Sequence, residues 1–176
     1  MAEQSWVAYL WFHKDKLQLV IFIVLFLVSL RRAAGAPERI LAAMLLAIPV
    51  VDHIYHLAAA GSLLWRQADI GHLVIDGAAL GGMFFVALHA NRVYPLWIAA
   101  AQIIATSGHL YRMGLTEINR FAYDVMAIMP SYIQILAMTL GLACHLSRRR
   151  KRGSYPSWRR SSFLTRGAAA KTLHAA

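Results

Sequence analysis

ILAAMLLAIPVVDHIYHLAAAGSLLW, residues Ile40 to Trp65, is a 26-residue apolar run with one carboxylate, two histidines and no lysine, arginine or glutamate. A bilayer core takes about 20 helical residues to cross, so a run of this length reads as a transmembrane helix rather than a soluble core helix. Pro49 lies inside it and predicts a kink, which helices in lipid tolerate because neighbouring helices satisfy the carbonyl it frees. Pro37 and Glu38, just before the run, suit the first turn of that helix.

The pattern repeats outward from this stretch. His72 to Ala90, Val93 to Tyr111 and Phe121 to Leu146 are comparable runs, the last carrying Pro130, and Leu17 to Leu30 is a shorter one of 14 residues. Together they predict an all-α, polytopic transmembrane helical bundle of about five spans. The composition agrees: of 176 residues 59% are hydrophobic, above the roughly 45 to 50% of soluble domains, and the mean hydropathy is +0.51. Three segments follow: an interfacial N-terminal segment over 1–16, the bundle over 17–147, and a basic tail over 148–176. Lys14 and Lys16 before Leu17 to Leu30, with the small residues Ala33 to Ala36 after it, also fit a signal peptide. Arg31 and Arg32 directly after the apolar run oppose that reading.

Lysine and arginine placement sets the orientation. With the C-terminus inside, thirteen of the eighteen basic residues lie on the inner side and five outside, nine of the thirteen in the tail. Five spans then put the N-terminus outside. The net charge of +10 is concentrated at the chain's end rather than along a folded surface, so the anionic partner it implies is lipid headgroups and not nucleic acid. The single cysteine, Cys144, excludes an internal disulfide and reads as a small core residue.

Drawn on this topology, the ionisable side chains converge on the outer half of the bundle. Asp52, His53 and His56 share an arc of about 100° on the second span. His72 and Asp76 stand one turn apart on the third. Gln102, Thr106 and His109 climb one face of the fourth, and Tyr123, Asp124, Ser131 and Gln134 one face of the fifth. A mid-membrane carboxylate costs about 2.5 to 3.5 kcal/mol on insertion scales and normally faces a partner or a wet cavity. Imidazole and carboxylate suit divalent zinc, iron, manganese or copper, with carboxylates also orienting ligating histidines. The pattern therefore predicts a metal or proton-relay site built from Asp52, His53, His56, His72, Asp76 and His109. No HExxH pair or nucleophile elbow is present.

Two readings of other classes compete with it. Bis-histidine haem b, or a chlorophyll-type pigment, takes one imidazole from each of two helices: His53 or His56 with His109 for an outer group, His89 with His145 for an inner one. A non-catalytic accessory subunit would pack through the small-residue step Gly77 and Gly81, extended by Gly82, against a partner or a second copy. Met126, Met129 and Met138 read as core filler, and Tyr94, Trp97, Tyr155 and Trp158 as an interfacial belt.

Three stretches carry a resemblance: HANRVYPLWIAAAQ (His89 to Gln102), PSYIQ (Pro130 to Gln134) and YPSWR (Tyr155 to Arg159). They resemble small multi-span proteins of alphaproteobacterial type to which no function is attached. That likeness implies a bacterial inner-membrane bundle and no activity, cofactor or site. A reporter fused to the C-terminus is expected to read as cytoplasmic, and a tag at residue 2 to be reachable from outside intact cells. External protease removing the C-terminal tag would invert the map.

Overall fold

The computed structural model describes residues 6–31, 34–59, 70–114, 120–153 and 156–159. Among these the chain is all-helical: α1 Trp6–Ser29, α2 Ala36–Ala59, α3 Ile70–His89, α4 Tyr94–Gly114 and α5 Arg120–Arg152, with no strand. Each helix packs on the next in sequence, and α1 and α2 both reach α5, which closes the bundle.

Three described stretches, Ala36–Ala58, Ile70–His89 and Ile128–Arg152, are long and apolar enough to cross a membrane. The runs predicted around Leu17 to Leu30 and Val93 to Tyr111 are helical but fall short of that measure. In α1 the apolar part, Lys16–Ser29, is too short by itself. Yet α1 continues without a break through His13 to Lys16, giving 24 residues and about 36 Å of helix. In α4, Gln102, Thr106, Ser107, His109 and Arg112 lower the hydropathy of an otherwise apolar helix. Ala60 to Trp65, where the sequence places the end of the second span, lie outside the described residues, as do Tyr155 and residues 160–176 of the tail.

The core sits where α1 to α5 meet, around Phe22, Leu41, Leu45, Met83, Ile98 and Met138. The outward surface remains apolar, with Leu27, Leu57, Val74, Phe85, Trp97 and Leu136 each more than half exposed. In water such surface costs roughly 25 cal/mol for every Å², a penalty that hydrocarbon does not impose. Several packing expectations are corrected here. Met138 is core, but Met129 is exposed. Cys144 is exposed, not core, because the α5 face that carries it turns out of the bundle. Tyr94 and Trp158 pack against the core instead of forming a belt. Gly77 and Gly81 have no heavy atom near the position of an added Cβ, so their step is not used within the bundle, whereas Gly82 is pressed against Met44.

One end of the bundle is fastened by a buried charged triad that the sequence reading did not assemble. Glu38, in the first turn of α2, is 0% exposed, and Arg92, between α3 and α4, donates from Nε to its Oε1 at 2.9 Å. Arg92 Nη2 lies 3.0 Å from His145 Nδ1 on α5. Guanidinium has no acceptor, so His145 Nδ1 accepts. Three elements distant in sequence are thereby tied at one point, and the α2 N-terminus adds its favourable field to Glu38.

The tail closes over the same end. Gly153 adopts φ +77 and caps α5, with its amide donating to Arg149 O at 3.0 Å. The chain then folds back, so that Trp158 bridges to Ala90. Asn91 N donates to Ser157 O at 3.0 Å, and Arg159 N to His89 O at 2.8 Å. Residues 156–159 are therefore docked rather than loose, and the two motifs HANR and YPSWR touch. Breaking the triad by Arg92→Gln is expected to cost about 3 to 5 kcal/mol, the penalty of stranding a buried charge. Pairing it with Glu38→Gln is expected to recover most of that. Thermal unfolding in mild detergent checks both.

Candidate metal centre

At the opposite end of the bundle the polar stripes of three helices meet. From Glu38 to Asp52 is 14 residues of α2, about 21 Å along its axis. Asp52 and His56 are one turn apart on that helix, and His72 comes from the first turn of α3. His72 Nε2 is 2.7 Å from Asp52 Oδ1, His56 Nε2 is 3.6 Å from Asp52 Oδ2, and the two Nε2 atoms are 3.1 Å apart. An ionised carboxylate only accepts, so the single N–H on His72 Nε2 serves Asp52 Oδ1, and His56 Nε2 presents a lone pair to the same nitrogen.

Glycine makes the approach possible. An added Cβ at Gly71 would overlap the ring of Tyr55. That ring stands edge-on to His72, with centroids 5.5 Å apart and planes at 82°. Close passage of α2 and α3 at this point is what carries His72 to Asp52.

A second pair stands beside the first. His109 Nε2 on α4 is 2.9 Å from Asp76 Oδ2 on α3. Gln102 Nε2 donates to Asp76 Oδ1 at 3.1 Å, and Gln134 Nε2 on α5 donates to Gln102 Oε1 at 2.7 Å. Both carboxylate oxygens of Asp76 are engaged, and the ladder Gln134, Gln102, Asp76, His109 fixes the imidazole from three helices. The His109 ring lies stacked on that of His72, centroids 5.9 Å apart and planes within 20°. Both pairs border one cavity of about 300 Å³, which Lys14 and Gln18 of α1 and the two helix-interior prolines, Pro49 and Pro130, also line.

The six residues predicted to form the site are thus sorted. Asp52, His56 and His72 bring one ligand atom each within 4.8 Å of one another, the spacing needed to hold an ion. Asp76 and His109 form the adjoining pair. His53 is exposed, about 100° round the helix from Asp52, and joins neither group. Of the other polar residues in the predicted stripes, Ser131 donates its hydroxyl to Ile128 O, and the side chains of Tyr123 and Asp124 lie outside those described. Lys14 and Gln18 were hidden from sequence reading because Lys14 reads as an interfacial cation.

The imidazoles proposed for an inner haem do not face one another. His89 is exposed, with Nδ1 2.8 Å from Phe85 O of its own helix and its ring stacked on Phe85 at 4.4 Å. His145 is 4% exposed and turned inward to Arg92. Comparison with protein-family models, with curated proteins and with solved structures finds no match. Chemistry at the site therefore has to be read from geometry. Gly71→Val is expected to wedge α3 from α2, shift His72 relative to Asp52 and His56 while replacing no ligand, and weaken metal binding about 10- to 100-fold, as loss of ligand orientation does. Titration of the purified protein with zinc checks it.

Proposed function

We propose that this chain is an integral inner-membrane protein that binds one divalent transition-metal ion through Asp52, His56 and His72. The observation that carries the reading is the convergence of those three ligand atoms. Zinc held at about 2.0 to 2.2 Å by nitrogen and carboxylate oxygen spaces its ligands by roughly 3.3 Å in a tetrahedron. His72 Nε2 lies 2.7 Å from Asp52 Oδ1 and 3.1 Å from His56 Nε2, near that edge, and the other Asp52 oxygen is 3.6 Å from His56 Nε2. Three protein ligands leave a fourth position open, the pattern of sites that bind water or a passing group rather than purely structural ones. Intermediate exposure of Asp52 and His56, 36% and 34%, supports access from one membrane face.

His109, oriented by Asp76, stands next to that open position as a fixed imidazole able to take up a proton. A direct proton relay through the cluster is less well supported. It would need proton transfer between the His72 and His109 rings, which lie near-parallel with centroids 5.9 Å apart. The topology that goes with this reading has five spans, the N-terminus outside and the basic tail 148–176 in the cytoplasm. Burial of Gln102, Thr106 and Gln134 against neighbouring helices supports α4 as a span despite its polarity.

Metal analysis on protein purified in mild detergent is expected to give one equivalent of zinc per chain. His56→Ala and His72→Ala should each abolish it, whereas His109→Ala and His53→Ala should retain the full equivalent. Because only the unprotonated nitrogen of an imidazole can ligate, affinity should fall as pH is lowered. Undiminished binding in His72→Ala, or none in the wild type together with a pH-dependent flux lost in Asp52→Asn, would overturn the metal reading in favour of proton transfer.

A further inference from the structure

A groove of about 670 Å³ runs along α4 and α5 at the end away from the metal centre, and its two ends differ in chemistry. Trp97, Ile133, Leu136 and Leu140 form its apolar length, and all four face outward from the bundle, 40 to 63% exposed. Its other end is made by Arg92, Arg148 and Arg159, with His145 behind them and no aspartate or glutamate among the described residues of the lining. Arg148 continues the α5 face that carries Ile133, Leu140 and Cys144. Arg159 is remote in sequence and reaches the groove because the tail folds back to pair with His89 and Asn91.

We infer that this groove binds one anionic phospholipid, its phosphate held by Arg148 and Arg159 beside Arg92 and an acyl chain lying along α5. Length supports a lipid over a soluble anion. Ile133 to Arg148 is 15 residues, about 22 Å of helix. One leaflet offers about 15 Å of hydrocarbon with a headgroup layer above it, so the apolar and basic portions of the groove fall at matching depths. Charge supports an anionic headgroup: three arginines line one end, the carboxylate of Glu38 is engaged by Arg92 behind it, and guanidinium takes phosphate bidentately. Basic pockets between helices on the cytoplasmic side recognise lipid headgroups in this way. The site differs from a diffuse attraction between the tail and the membrane in being stoichiometric and in needing only the docked residues 156–159.

The test is lipid retention by the full chain in mixed micelles of phosphatidylglycerol and phosphatidylcholine, read by native mass spectrometry. One phosphatidylglycerol per chain is expected, preferred at least tenfold over phosphatidylcholine. Arg148→Gln with Arg159→Gln should lower its affinity roughly thirtyfold, the loss expected of two cations near an anionic headgroup. Both arginines are exposed, so the variant keeps its fold, which its unfolding temperature reports. Leu140→Trp, filling the apolar length, should reduce retention with the arginines intact. A chain ending at Arg159 should retain the lipid. Equal retention of the two lipids, an unchanged preference in the double variant, loss on removing residues 160–176, or displacement by millimolar inorganic phosphate would each overturn the assignment.

Discussion

In a chain this apolar, a charge taken into the interior has to bring its partner with it. The Glu38–Arg92 pair meets that demand with both side chains at 5% exposure or less. Desolvating two ions costs several kcal/mol each, so the pair adds little net stability, but every arrangement that separates it is heavily penalised. Its effect is selection. Only a packing that brings the α2 N-terminus, the α3–α4 turn and His145 of α5 to one point is allowed. The docked tail and the arginine-lined groove follow from that point, since Trp158 and Arg159 rest on the turn that Arg92 anchors.

The same physics leads to a different outcome at the other end. There the carboxylates are only partly covered, and they are matched by imidazoles instead of guanidinium. Neutral imidazole can donate, accept or ligate, so the Asp52, His56, His72 group has alternatives that the Glu38 triad lacks. The adjoining ladder through Gln102 and Gln134 is held from three helices and has no such freedom. Placing a rigid pair against a partly covered trio is how a site keeps its geometry while staying open to an ion.

Much of the candidate site was legible because polar residues are rare in helices this apolar and stand out against them. Helical periodicity alone put Asp52 with His56, His72 with Asp76, and Gln102 with Thr106 and His109. It could not sort ligands from their neighbours, since an arc of about 100° admits His53 as readily as His56. Which residue of such an arc turns inward depends on the rotation of the helix about its axis, and that is set by packing. The same limit holds for the inner pair: His145 is buried against Arg92, whereas His89 is exposed and bonded to its own helix.

Sequence by itself determined the helical class, the approximate course of the helices and the end of the bundle at which the polar stripes gather, because each rests on local composition and on the 3.6-residue period. Only the tertiary structure decided who pairs with whom. In sequence Glu38 reads as a first-turn residue, His145 as a candidate haem ligand and Arg159 as part of the basic tail, and nothing links them to Arg92. Their association spans 54 residues from Glu38 to Arg92 and 53 from Arg92 to His145. Such contacts carry no local signature, since the free energy that selects them is the desolvation of an isolated charge, which exists only once the helices have closed around it.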